Sequence, residues 1–504
     1  MLIIVDKVGS LAVSAKVTMT TKTIADTPSF VSTLPPWTVV GKVSSSLSLG
    51  YAGLRQWELN KDKDSELYNH KQIWRLSEFN LSSSSTVSRS CLERCRVDKA
   101  GMEEKLSSAA KNLKSSPIQQ LSYLAEKCNA INLAEGFPDF PAPATFKAAA
   151  ISAINSDYNQ YRHVQGLCDV VALRAKEIHG LDVDPLTDIV VCCGQSEAFA
   201  ATMFAIINQG DEVILLDPVY ETYEVCITLA GGIPVYVPLD PPHWTLDQEK
   251  LVKSFTSRTK AIVLNSPHNP TGKVFTKAEL EIIARACQTH NIIAVTDEVY
   301  EHITFDKERH ISLATFPGMQ HRTIITSSLS KTYSVTGWRI GWAIAPSCIA
   351  SAIRNIHVKI TDSAPAPFQE AALIALRSPS EYFNSLRKDY ESKRDFLAEL
   401  LAKVGFQIQS MPKGSVFVFA ELPETCTLSD VEFVEELIKQ AGVVAVPGSG
   451  FFHSHSYLDK PSQVTSSYAR RYIRFAFCKS NETLATAAQK IARLVDSTGR
   501  LKLF

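Results

Sequence analysis

Five runs of aliphatic, largely β-branched residues constrain this chain more than any other feature. Ile189–Cys193, Glu212–Leu216, Ala261–Leu264, Ile292–Val295 and Thr323–Thr326 show almost no alternation of apolar and polar residues. That is the pattern of strands covered on both faces. Between them, Ser196–Asn208 and Lys277–Thr289 read as helices. Strand, helix, strand at this spacing predicts an α/β fold with a mainly parallel sheet and helices on both faces. In such sheets ligands bind beyond the carboxyl ends of the strands.

The texture changes on either side of this region. From Glu381 onward there are long amphipathic helices, followed by Ser415–Ala420, Gly442–Val446 and Tyr472–Phe477, whose alternation predicts a smaller α+β domain with an antiparallel sheet. The first hundred residues are rich in Ser and Thr and lack a sustained apolar period. The expected division is a low-order N-terminal extension over 1–101, an N-terminal arm of the small domain over 102–144, a large domain over 145–385 and a small C-terminal domain over 386–504. Met102 is an in-frame methionine, and the extension before it is expected to be dispensable for folding and catalysis.

Lys plus Arg and Asp plus Glu both number 52. No global field therefore draws nucleic acid or an anionic membrane, and neither is expected as a partner. The most apolar stretch, Ala198–Ile207, is too short to cross a bilayer. The 11 cysteines are odd in number and form no CxxC pair, so neither a zinc finger nor a disulfide framework is expected, and no metal. A reducing compartment, the cytoplasm, is the expected location. The opening run Met1–Val5 is cut by Asp6 and Lys7, unlike a secretory signal. The hydroxyl-rich start has few acids before Glu58, which leaves an organellar transit segment open.

Acids, amides and hydroxyls gather where the predicted strands end. Ile292–Val295 leads into Asp297 and Tyr300, and Ala261–Leu264 leads into Asn265, Asn269 and the turn Pro270-Thr271-Gly272. The run Thr326–Ser328 leads into Lys331, set among hydroxyls, with Arg339 eight residues later. The segments Asn269–Gly272, Asp297–Tyr300, Ser328–Lys331 and Gly337–Arg339 occur in this order, and with them the chain from about residue 115 resembles the class I/II aminotransferases of pyridoxal-phosphate fold type I. Through Asn132–Phe140 and Asn159–Tyr161 it is similar to the group acting on kynurenine, glutamine and methionine.

The resemblance implies pyridoxal 5'-phosphate as cofactor, amino acid and 2-oxo acid substrates, and a homodimer with shared active sites. It assigns Lys331 the Schiff base and the moving proton, which require an amine. Asp297 would sit beside the pyridine nitrogen, where a carboxylate favours the charged ring; an Asp after a strand equally caps a turn. Tyr300 and Asn269 would hydrogen-bond the ring hydroxyl. Gln195 and Ser196, after Gly194 at a helix start, would hold the phosphate through backbone N–H groups, joined by Ser328, Arg339 and Tyr161 from the neighbouring subunit. Tyr220 would stack on the ring. Arg474, isolated within the apolar run Tyr472–Phe477, would grip the substrate α-carboxylate together with the Gly136 backbone.

Two positions depart from the family pattern. Ala134-Glu135 stands where Gly-Gln is usual, placing an acid near the substrate carboxylate, and Val170-Val171 replaces an expected Leu-Arg. The expected activity is transamination, through a pyridoxal-phosphate aldimine, of an aromatic or sulfur-containing amino acid, with kynurenine among the candidates. Aspartate should be a poor donor, because Ile360–Pro367, where the dicarboxylate-specific branch carries an arginine, contains none. Cysteine-conjugate β-lyase chemistry on the same site is the nearest rival. A regulatory protein with a pyridoxal domain would need a basic winged helix within residues 1–100, and a dinucleotide-binding module would need a Gly-rich turn after the first strand; neither is seen.

Overall fold

In chain order the strands are β1 (Ile131–Asn132), β2 (Ile189–Cys192), β3 (Glu212–Asp217), β4 (Ile233–Asp240), β5 (Thr245–Leu246), β6 (Thr259–Asn265), β7 (Ile293–Asp297), β8 (Thr323–Ser328), β9 (Gly341–Ile344), β10 (Phe417–Glu421), β11 (Val443–Val444), β12 (Val446–Pro447) and β13 (Tyr472–Ala476). The structure is a computed structural model and describes residues 102–113, 116–453 and 469–495. The expected extension over 1–101 lies outside the described residues.

Eight strands form one sheet in the order β2-β9-β8-β7-β6-β3-β4-β5. β8, β7, β6, β3 and β4 run parallel to their neighbours in this series, whereas β9 is antiparallel to both β2 and β8, and β5 to β4. Every residue of β2, β3 and β8 is buried, as the unbroken apolar runs require. The fold is α/β with a mixed, mostly parallel sheet. The reversed β9 was not expected; its four residues follow the Gly337–Arg339 loop and carry no signal of direction.

Local chemistry sets the helix ends. Thr276 and Glu279 form a reciprocal capping box at the start of Lys277–Thr289. Helix Gln195–Ile206 begins at Gly194 with no side-chain cap, one residue earlier than expected and ending two residues sooner.

A second set of strands packs beside the large sheet. β10, β13 and β12 are antiparallel in that order, in accord with the alternating pattern of that region. The stretch 442–446 divides, however, and β11 pairs in parallel with β1, Ile131 opposite Val443. That pairing ties the early segment 131–136 to the second set of strands. One hydrophobic cluster runs through both systems, joining Ile214 and Leu264 of the large sheet to Phe417, Val444 and Phe475. No helix among the described residues is long and apolar enough to cross a membrane.

β9 brings the loop after β2 against the sheet. Gly341 lies opposite both Cys192 and Ser328, and a Cβ there would stand 2.5 Å from the Gly194 carbonyl carbon and 2.6 Å from the Gln195 nitrogen. Both neighbours are backbone and cannot rotate away. Gly341→Ala should cost about 1–3 kcal/mol, as overpacking does, and lower the thermal unfolding midpoint. An unchanged midpoint would show that β9 retreats freely.

Candidate active site

The carboxyl ends of β6, β7 and β8 lie side by side, with Asn265 opposite Asp297 and Asp297 opposite Thr326. This register puts the polar residues after each strand into one place. Asp297 is only 4% exposed. Its Oδ2 accepts a 2.6 Å hydrogen bond from the Tyr223 hydroxyl and its Oδ1 a 3.2 Å bond from the Val299 N–H. Burial pushes the carboxyl up to about 6, while the Tyr223 donor, the Val299 N–H and the Lys331 cation pull the other way. The group therefore stays largely ionised at neutral pH, suited to a cationic ring nitrogen.

Glu298, next in the chain, faces a different set of partners. It accepts hydrogen bonds from Thr296 (2.8 Å) and Ser312 (2.8 Å) and pairs with His310 at 2.7 Å. These contacts anchor the turn that carries Asp297 and Tyr300. The Asn265 amide donates to the Asp297 carbonyl at 3.0 Å, and its Oδ1 accepts from the Asn269 N–H at 2.7 Å. Asn269 is thereby fixed relative to Asp297.

Lys331 follows β8 through a tight turn in which Ser328 Oγ accepts from the Ser330 N–H at 3.2 Å. Its Nζ donates to the Gly136 carbonyl at 2.7 Å. Burial lowers the ammonium to about 8, with Arg474 and Arg339 adding repulsion and Asp297 and Cys478 opposing it. An amine with that balance passes between neutral and charged forms near working pH, as a proton carrier must.

The start of helix Gln195–Ile206 fits an anion. Gly194 has φ 82°, and a Cβ on it would run into the Arg339 guanidinium. Glycine is thus required both by the left-handed backbone and by the close approach of the cation. Arg339 donates to the Thr336 carbonyl at 2.8 Å and the Cys193 carbonyl at 3.4 Å, and has no carboxylate partner among the described residues. Uncapped helix N–H groups, an unneutralised guanidinium and the Ser196 and Ser328 hydroxyls line the same corner. A phosphate meets all three requirements.

Arg474 is 2% exposed. Its Nη1 donates to Asn269 Oδ1 at 2.9 Å and its Nη2 to the Ala134 carbonyl at 2.8 Å, while the guanidinium lies 4.1 Å from the Phe417 ring centre and 4.7 Å from that of Phe451. It has no ion pair among the described residues, and its buried Nε has no hydrogen-bond partner. Burial lowers it to about 10. A buried cation in this state calls for an anion from outside.

A cavity of about 290 Å³ unites these groups. Gly136, Gln195, Ser196, Tyr220, Asn269, Asp297, Tyr300, Ser328, Lys331, Arg339 and Arg474 all line it. Tyr220 stands edge-on to Tyr223, ring centres 5.7 Å apart. Tyr300 is buried, which pushes its phenol well up, and it packs edge-on against Phe417. Tyr161 is not brought there; it is 78% exposed and borders a separate cavity with Arg162, His163 and His357. Sequence reasoning missed Tyr223, Glu298 and Phe417, and noted Asn265 at the strand end without giving it a role. The spacing of Tyr223 from Tyr220, three residues along a helix, was the available signal for the first.

The model of the class I and II aminotransferase family matches residues 129–491. Kynurenine--oxoglutarate transaminase of Dictyostelium discoideum is 36% identical over 414 residues, covering 74% of this chain and 93% of that protein. Methionine aminotransferase of Escherichia coli is 34% identical over 378 residues, covering 74% and 95%. The solved structure of N-succinyldiaminopimelate aminotransferase from Mycobacterium tuberculosis superposes with a TM-score of 0.72 at 35% identity, covering 77% of this chain and 100% of that one.

Removing the Tyr223 hydroxyl tests the electrostatics of Asp297. A hydrogen bond to a charged group is worth about 1.5–3 kcal/mol, or roughly one to two pKa units. Tyr223→Phe should therefore raise the carboxyl further, so that its ionised form is lost at higher pH. The acid limb of pyridoxal-phosphate binding, followed by spectroscopic titration of the cofactor-free protein, should move up by about one pH unit. Coincident limbs would refute the coupling.

Proposed function

Because the chain belongs to the class I and II aminotransferases, pyridoxal-phosphate-dependent enzymes of fold type I, we propose that it moves the amino group of an aromatic or sulfur-containing amino acid, kynurenine among the candidates, to a 2-oxo acid. The observation that carries this reading is the buried Arg474, with no carboxylate or Nε partner among the described residues, in the same cavity as Lys331. An amino acid brings the missing carboxylate and places its nitrogen toward the lysine. The apolar part of the lining, Ile118, Phe137, Val299 and Phe417, suits a large uncharged side chain, and the names of the kynurenine and methionine relatives point the same way.

The chain's own residues divide the work. The backbone N–H groups of Gln195 and Ser196, the Ser328 hydroxyl and Arg339 would hold the phosphate. Asp297, kept ionised by Tyr223, would pair with the ring nitrogen; Asn269 and Tyr300 would serve the ring hydroxyl, and Tyr220 would stack on the ring. Arg474 orients the α-carboxylate, itself held flat by Asn269 and the Ala134 carbonyl. When bound, pyridoxal phosphate supplies the aldehyde that takes up the amino group and the ring that accepts the electron pair left when the α-proton departs. Lys331 takes that proton on Nζ and returns it. Its lowered pKa of about 8 keeps a usable fraction neutral at physiological pH, and that fraction rises as pH rises.

We also propose that the chain comprises an arm over 102–144, a large domain over 145–385 and a small domain over 386–504. The cavity then lies where the two domains meet. We also assign Tyr161 to the phosphate of a second subunit, consistent with its exposure and its separation from the cavity of its own chain.

Lys331→Ala should lower transamination by at least about 10³-fold, the order contributed by a positioned acid–base group, and abolish the visible absorbance of lysine-linked cofactor. Turnover near that of the unaltered enzyme would refute the assignment. For the second subunit, Tyr161→Ala and Lys331→Ala are each expected to be inactive alone. Mixed as heterodimers they should recover up to one working site per dimer. Absence of recovery after verified subunit exchange would show that the site is not shared.

A further inference from the structure

We propose that Glu135 sets the substrate class: its carboxylate rejects partners with a second carboxylate, so that the acceptor as well as the donor is monocarboxylic. This rests on the aminotransferase reading above and deepens it.

Glu135 sits between the two substrate anchors. The carbonyl of the residue before it, Ala134, holds Arg474, and the carbonyl of the residue after it, Gly136, accepts from Lys331. Consecutive Cα atoms are about 3.8 Å apart, so Glu135 lies beside whatever bridges these groups. Its position is fixed from below, where Asn132 Oδ1 accepts from the N–H groups of Ala134 (2.9 Å) and Glu135 (3.0 Å). The residue lines the cavity, and its carboxylate forms no hydrogen bond or ion pair with any described residue. Lys479 feels its charge, but that ammonium donates to the Phe137 carbonyl at 2.8 Å and lies 4.1 Å over the Phe137 ring.

The charges of the lining decide what the cavity accepts. Its cations are Lys331, Arg339 and Arg474, and its carboxylates Glu135, Glu221 and Asp297. The phosphate occupies Arg339, the α-carboxylate occupies Arg474, and Lys331 with Asp297 faces the reacting centre. Glu221 accepts a hydrogen bond from Ser116 at 2.5 Å. A second substrate carboxylate would then meet Glu135 and Glu221 with no unengaged cation left among the described residues that line the cavity. Donor and acceptor use the same cavity in turn, so the restriction falls on both halves of the reaction. A neutral side chain, or one bearing an amine or hydroxyl that donates to Glu135, meets no such penalty.

The test compares 2-oxoglutarate with phenylpyruvate as acceptors for methionine, and binding of glutarate with that of 3-phenylpropionate to the holoenzyme. The unaltered enzyme should favour the monocarboxylate in both. At separations of a few Å and the effective dielectric of a protein cleft, removing a like charge should matter on the order of tenfold or more. Glu135→Gln should therefore raise the dicarboxylate-to-monocarboxylate ratio of kcat/KM, and of binding affinity, by about tenfold. Glu135→Asp, which retains the charge, should leave the ratio low. A preference of the unaltered enzyme for 2-oxoglutarate would overturn the proposal and indicate a cation contributed by another subunit. An unchanged ratio in Glu135→Gln would overturn it as well. Failure of every amino acid and oxo acid pair to react would instead sink the aminotransferase reading, and the two carboxylate inhibitors would then decide the role of Glu135 by themselves.

Discussion

A buried guanidinium with no counterion among the described residues is the constraint around which this structure is arranged. Removing a charge from water costs several kcal/mol even after relaxation, and no acid among the described residues pairs with Arg474 to offset it. Three separate parts of the chain share the load: Asn269 after β6, Ala134 after β1, and the rings of Phe417 and Phe451. Each comes from a different element, so the position of Arg474 depends on the large sheet, the early segment and the second set of strands all being docked. The parallel pairing of β1 with β11 and the shared hydrophobic cluster provide that docking. Folding therefore builds a positive site at the junction, completed by an anion from solution.

Two neighbouring carboxyls show how environment divides chemistry. Asp297 and Glu298 are consecutive and both buried, yet burial raises Asp297 while the hydrogen bond and charge interaction with His310, joined by His179, outweigh the same desolvation and lower Glu298. Alternation of side chains at a strand end places them on opposite faces. Glu298 is consumed by Thr296, Ser312 and His310 and becomes a support. Asp297 keeps lone pairs facing the cavity and a proton affinity close to neutrality. Lys331 approaches the same pH region from the basic side, so acid and amine there are both responsive to charge arriving between them.

Much of this arrangement was legible in the sequence. The parallel sheet followed from apolar runs without alternation; Asp297 and Arg474 were conspicuous because each charge ends or interrupts such a run, and Lys331 because it stands among hydroxyls. What escaped notice depended on contacts between distant segments. The spacing of Tyr223 from Tyr220 hints at a shared face, but the partner of its hydroxyl, Asp297, lies 74 residues away in sequence. The reversed direction of β9 is likewise invisible in four residues, since orientation is set by the loop and by the partner strands. The stretch 442–446 was expected to be wholly antiparallel, yet β11 takes β1 as a parallel partner from three hundred residues earlier in the chain.

The phosphate corner shows why the reversal of β9 matters. A strand running against its neighbours begins where they end, so Gly341 arrives beside Cys192 and Ser328 at the carboxyl edge of the sheet. Its missing side chain lets the Gly194–Gln195 peptide lie against it, and the missing side chain of Gly194 in turn admits Arg339. Two absent Cβ atoms thus bring a helix N-terminus and a guanidinium together with no carboxylate of the described residues paired to that guanidinium. A capping Asp or Ser at position 194 would satisfy the same N–H groups internally, clash with the arginine and remove the reason for a ligand to bind. The exposed donors at this helix start are therefore a consequence of strand direction, transmitted through two glycines to a single cation.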